Sequence, residues 1–274
     1  MTSLRNEGPI GVFDAGLGGL TVLRALHERL PLEDFVFLGD TARAPYGTRG
    51  TQTVLNYAHA CARVLREHRI KLLVLASHTV SAVALEPLAG ELFMPVLGAI
   101  TPGLSALHAA GKRRIGVLAS PRSALSGAHA RALAALGAAD AEARVLATPL
   151  LPALADEGLL QGELPRLALR QYLTPLLSQQ VDSVLLGASS YPLLAPLVEA
   201  ELAALGCGEI TVQDGVAPLA DAVVAAVAAR QLATARTDRG KLRIVLTDLP
   251  ESFAAADRYL GHDIKQHSIS AVDL

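Results

Sequence analysis

Five short segments carry side chains able to bind a ligand or move a proton, and most begin where an apolar run gives way to small residues. Phe13-Asp14-Ala15-Gly16-Leu17-Gly18-Gly19 follows one such run and opens a helical pattern. Glycines there let a backbone approach a ligand, and a helix N-terminus favours an anion. Asp14 can accept a ligand ammonium or serve as an acid–base group; it can equally cap the helix or a turn. The spacing is not that of the dinucleotide fingerprint, and no P-loop lysine follows. Asp40-Thr41-Ala42-Arg43-Ala44-Pro45-Tyr46-Gly47 is a polar loop whose backbone amides around Pro45, Tyr46 and Gly47 suit a carboxylate, or an ordinary turn. Ser77-His78-Thr79 sits just past a buried run. No G-x-S-x-G surrounds Ser77, so a hydrolase nucleophile is not supported. Ala188-Ser189-Ser190-Tyr191-Pro192 offers hydroxyls and one phenol. The stretch 120–126, with Ser120, Arg122 and Ser123, reads as a carboxylate site or a helix cap.

Positioning these segments requires strands that end at a common edge. Strands are expected at 9–13, 35–38, 72–75, 114–118, 144–148, 183–186, 210–212 and 242–246, with another ending at Gly98. Helices are expected at 19–30, 51–68 and 217–235. Nearly continuous apolar strands joined by helices indicate parallel sheets covered on both faces. LLVLASHT (72–79) echoes SVLLGASS (183–190), which suggests two related halves facing a shared cleft at the carboxyl ends of their strands. Breaks near 97–102 and 206–210 divide the chain into a first domain of 1–99 plus 209–274 and a second of 100–208. An eight-stranded barrel is the rival on strand count.

The chain has 274 residues, is 51% hydrophobic and 18% charged, and has a net charge of −2, which excludes a disordered chain and a polybasic tail. Two cysteines, Cys61 and Cys207, make a disulfide framework or a thiolate-rich metal site improbable. No secretory leader is read at the N-terminus, and the apolar runs are too short to span a membrane. The expected setting is the cytoplasm, without nucleic-acid or membrane partners.

Taken together the segments resemble glutamate racemase, of the aspartate/glutamate racemase superfamily. IGVFDAGLGGLTVLRAL, LGDTARAPYGTRG, LVLASHTVSAVALE, ATPLLPALADEG and LLGASSYPLL are similar to the family's ordered motifs along nearly the whole chain. The resemblance implies two pseudo-symmetric, doubly wound α/β domains, the first completed by the returning tail, with the site between them. It implies no metal and no pyridoxal phosphate, a small carboxylate or amino-acid ligand, and a homodimer in many members. The family interconverts L- and D-glutamate for cell-wall synthesis through two cysteines on opposite sides of the α-carbon. Asp14, Pro45, Tyr46, Gly47 and Thr79 match its motifs. Ser77 and Ala188 fall where the cysteines stand. His78, Ser189 and Ser190 replace their neighbours, Ala15 a serine, and Asp156 a helper glutamate.

An alanine carries no transferable proton, and a serine needs an adjacent base to be activated. Three outcomes are therefore expected. One is one-sided acid–base chemistry, such as decarboxylation, elimination or isomerisation, using His78 as an imidazole near pKa 6.5 with Ser77 or Asp14 as partner. The second is a non-catalytic binding or regulatory protein on the same scaffold. The third is residual racemisation supplying D-glutamate for peptidoglycan.

Overall fold

The computed structural model describes residues 7–274; the first residues of the segment in which no leader is read lie outside them. The chain runs through β1 (Ile10–Asp14), α1 (Leu20–Arg29), β2 (Phe35–Gly39), α2 (Thr51–Glu67), β3 (Leu72–Leu75), α3 (His78–Glu91) and β4 (Val96–Gly98). It crosses through α4 (Ile100–Ala109) to β5 (Arg114–Ala119), α5 (Pro121–Leu125), α6 (Ala128–Ala135), β6 (Glu142–Ala147), α7 (Leu151–Asp156), α8 (Glu163–Leu177), β7 (Ser183–Gly187), α9 (Ala195–Ala204) and β8 (Thr211–Asp214). It returns through α10 (Val216–Ala229), β9 (Leu242–Leu246), α11 (Ala254–Leu260) and β10 (Ser268–Ala271).

Two open parallel sheets result, in the orders β10-β9-β2-β1-β3-β4 and β6-β5-β7-β8, which rules out the barrel. The period-2 alternation of strand side chains explains how each sheet fills two cores. Ile10 and Val12 of β1 pack under α1, α10 and α11. Phe13, on the opposite face, packs with α2 and α3. In the second sheet Leu118 and Leu186 face α7, α8 and α9, while Val117 and Leu185 face α4 and α6. Each fully buried leucine or valine contributes about 1.5–3 kcal/mol, so the apolar runs themselves account for strand placement.

Most bounds differ from expectation by a residue or two, and some differences are larger. β8 was placed with the returning tail, but it pairs with β7 in the second sheet, so the chain goes back only from α10 onward. β6 starts two residues early, and α10 ends at Ala229. Gln231 then takes φ 54°, a left-handed turn that an alanine-rich pattern does not announce. Finally, β10 was not expected; it is a largely exposed edge strand placed by pairing with β9. No helix among the described residues is long and apolar enough to cross a membrane.

Candidate active site between the two sheets

The five segments converge because all of them leave the carboxyl ends of strands β1, β2, β3, β5 and β7. Together they enclose a cavity of about 400 Å³ with walls from both sheets. Every site residue expected from the sequence lines it except Ser123 and Arg122, whose guanidinium donates instead to the Arg49 carbonyl at 2.7 Å. Ser123 is fully buried within α5, and its amide donates to the Ser120 hydroxyl at 3.2 Å. It belongs to the helix cap rather than the cavity wall. Leu17, Gly18, Pro149, Pro152 and Ala153 also line the cavity. Leu17 and Gly18 belong to the glycine segment read as a ligand loop, and Pro149, Pro152 and Ala153 to ATPLLPALADEG, although their apolar side chains carried no chemistry that marked them individually.

Asp14 ends β1 and is 3% exposed. Its carboxylate accepts from the Ser189 hydroxyl at 2.9 Å and from the Gly16 amide at 3.2 Å. Burial nevertheless raises its pKa, with these hydrogen bonds pulling the other way. Thus the loop after β7 reaches across the cleft and holds the carboxylate at the end of β1.

Asp156 ends α7 and faces the cavity. Burial raises its pKa as well, against a 2.5 Å hydrogen bond from the Tyr259 hydroxyl. Tyr259, together with Arg258, which donates to the Asp156 carbonyl, lies on α11, over a hundred residues away in sequence. No local pattern marks either one.

On the first-sheet wall Ser77 caps α3, its hydroxyl accepting from the Val80 amide at 3.3 Å. Thr79 shares a 2.8 Å hydrogen bond with Ser120 of the second lobe. The opposite wall carries the Ala188 methyl beside Ser189 and Ser190.

The expectation that His78 titrates near 6.5 is overturned. The ring is 4% exposed and neither nitrogen has a hydrogen-bond partner. Burial, with a smaller contribution from His129, pushes its pKa down to about 3. A Cβ on Gly215 would lie 3.2 Å from His78 Nε2, so the ring packs against the start of α10. No hydrogen bond joins His78 to Ser77 or Asp14.

Neither cysteine lines the cavity. Cys61 lies behind the wall, 3.5 Å from the Arg43 guanidinium, and burial pushes its thiol up to about 12. Cys207 follows α9, where its thiol donates to the Leu205 carbonyl at 3.7 Å.

Among the described residues no Arg or Lys lines the cavity either. A bound carboxylate would depend on hydroxyls, backbone amides and the N-termini of α1 and α3, whose partial positive charge favours anions. The carboxylates of buried Asp14 and of the more exposed Asp156 suit an ammonium group. These features fit a small molecule bearing both charges.

Comparison with known proteins points the same way. The family described as Asp/Glu/Hydantoin racemase matches residues 12–229. A glutamate racemase of Neisseria meningitidis serogroup A is 36% identical over 269 residues, 97% of each chain. The structure of glutamate racemase from Thermus thermophilus in complex with beta-chloro-D-alanine superimposes with a TM-score of 0.86 at 33% identity, covering 98% of both chains. That of Francisella tularensis glutamate racemase in complex with D-glutamate gives 0.89 at 26% identity, again over 98% of both. A match running from the first strand to the end of α10, with a relative over a third identical end to end, places this chain in the Asp/Glu/Hydantoin racemase family, on its glutamate racemase branch.

Proposed function

We propose that the cleft binds glutamate or a closely similar small amino dicarboxylic acid, and that two-thiol racemisation is impaired in this protein. The observation that carries this reading is the pair of walls. Ser77 and Ala188, which the sequence resemblance sets where the family's two cysteines stand, present a hydroxyl and a methyl to the cavity, and neither Cys61 nor Cys207 lines it. Loss of a positioned acid–base group typically costs 10²–10⁴-fold, and here both sides lack their usual one.

Proton transfer that does occur is one-sided and falls to Asp14, the buried carboxyl at the end of β1, whose pKa burial raises above the ordinary value. The neutral, unpartnered ring of His78 is suited to shape the wall rather than to move a proton at neutral pH. That same ring supports a second reading, a binding protein without turnover. The names of the relatives support a third, residual racemisation.

The test is incubation of purified protein with L- and D-glutamate in deuterated water, followed by NMR of the α-position. Saturable binding with slow or absent exchange, lost in Asp14→Asn where exchange is present, is the expected result. Interconversion at the speed of an ordinary racemase would overturn the proposal. So would growth rescue of a D-glutamate auxotroph at wild-type rate.

A further inference from the structure

A second cavity, of about 610 Å³, opens at the amino edge of the first sheet, the edge away from the cleft. It is formed by the starts of β9 and β10, the last turn of α1 and the loop after α11. Its lining includes His27, Arg239, Lys241, Arg243, His262 and His267, and no Asp or Glu. Three permanent cations, Arg239, Lys241 and Arg243, around one concavity, in a chain of net charge −2, are a local concentration of positive potential.

The neighbouring acids, Asp238 acting on Lys241 and Glu28 on His27, offset this charge only in part. Arg236 takes the Asp34 carboxylate at 2.7 Å and the Asp238 carboxylate at 2.8 Å. Asp34 also accepts from the Lys241 backbone amide at 2.7 Å. Glu28 lies toward the adjoining hollow beside Arg24. No ion pair joins Arg239 or Lys241 to a carboxylate among the described residues. Instead the Arg239 guanidinium lies 3.4 Å and 3.5 Å from the two ring nitrogens of His27. Burial and this cation hold His27 below its ordinary pKa. His262 and His267 share a 2.8 Å hydrogen bond between their Nε2 atoms. Three cations and three imidazoles thus face one space whose own lining holds no carboxylate.

We propose that this cavity binds a small, multiply charged phosphate compound, with Arg239 and Lys241 as its charged anchors and the His262–His267 pair as hydrogen-bonding wall. Arginine forks match phosphate oxygens in pairs, and lysine adds a point charge. A divalent metal is the weaker candidate. No group of three or more His, Cys, Asp or Glu among the described residues is placed to hold one, and the adjacent guanidinium repels it. This site is independent of the cleft and of the reading given to it.

The test is calorimetric titration of the full chain with inorganic pyrophosphate and with triphosphate at low ionic strength. Saturable one-to-one binding that weakens as salt is added is expected. Arg239→Ala with Lys241→Ala weakens it about tenfold or more, while Arg131→Ala, an exposed arginine on α6 of the other lobe, leaves it unchanged. Broadening of the ³¹P resonances, lost in the same double variant, gives a second readout. No saturable binding of either phosphate, or equal affinity in the double variant, overturns the proposal. Binding of Zn²⁺ alone, abolished by His262→Ala with phosphates inert, would assign the cavity to a metal instead.

Discussion

At the scale of single residues the cleft is defined by what two side chains cannot do. Ser77 is engaged as the cap of α3, and Ala188 offers only a methyl group. If missing proton donors are what limits the reaction, restoring them has a calculable effect. The double variant Ser77→Cys/Ala188→Cys should raise α-proton exchange on glutamate by about 10²–10⁴-fold per restored group, with either single variant far below the pair. Replacing the cap should cost about 1 kcal/mol of stability, so exchange is to be compared at a temperature where both proteins are folded. A folded double variant with no gain would show that something other than the thiols is lacking. Asp14 gives a prediction of opposite kind. Its folded pKa lies above the ordinary 3.8 because burial disfavours the charge. The stability linked to it is therefore fully present below pH 3.8 and lost as pH rises through the raised value. Asp14→Asn should melt higher than the parent at neutral pH, by a margin that vanishes in acid, while abolishing any proton exchange. A lower melting temperature at pH 7 would mean that the Ser189 and Gly16 hydrogen bonds outweigh the burial.

At the scale of elements, legibility followed burial. Strands β3 and β9 were read to the residue because Leu72–Leu75 and Leu242–Leu246 are apolar runs within the sheet. β10 was missed because Ser268–Ala271 is mostly exposed and owes its place to β9, not to its own composition. α3 and α6 show the same limit. Nothing in sequence brings His78 of the one and His129 of the other into mutual influence. Both are buried without partners, His129 at 1% exposure with its pKa pushed down to about 4 by burial. A histidine held below its unfolded pKa contributes stability that is present above 6.5 and lost as pH falls. For His129 the window is 6.5 to about 4, and for His78 it is 6.5 to about 3. Within it each ring lowers stability by about 1.4 kcal/mol per pH unit. Denaturant melts between pH 7 and pH 4 should show this slope, and His129→Leu should roughly halve it. A slope unchanged by the substitution would place the acid sensitivity elsewhere.

At the scale of the whole molecule the site exists only while the two lobes touch. The hydroxyl, glycine and proline segments were legible as ligand loops because loops at the carboxyl ends of parallel strands share one edge. Their pairings across the cleft were not, since these depend on how one sheet sits against the other. Thr79 meets Ser120, Asp156 meets Tyr259, and Ser189 meets both Asp14 and Thr21, whose hydroxyl donates to the Ser189 carbonyl at 3.1 Å. Gly18 is the tightest point of this seam. A Cβ there would lie 2.7 Å from the Ser189 hydroxyl and 2.8 Å from the Ser190 amide nitrogen. Part of that obstacle is backbone, which cannot rotate aside as a side chain does, so Gly18→Ala must move one lobe relative to the other. The displacement would separate Ser189 from Asp14 and open the ligand's enclosure on both walls. Affinity for glutamate, read from thermal shift against ligand concentration, should fall about tenfold or more, equivalent to about 1.4 kcal/mol. Gly90→Ala, whose added methyl meets nothing within 4 Å, should bind as the parent does. If Gly18→Ala also binds unchanged, the lobes are not held at this seam, and the cleft must owe its shape to the Tyr259–Asp156 contact at its other end.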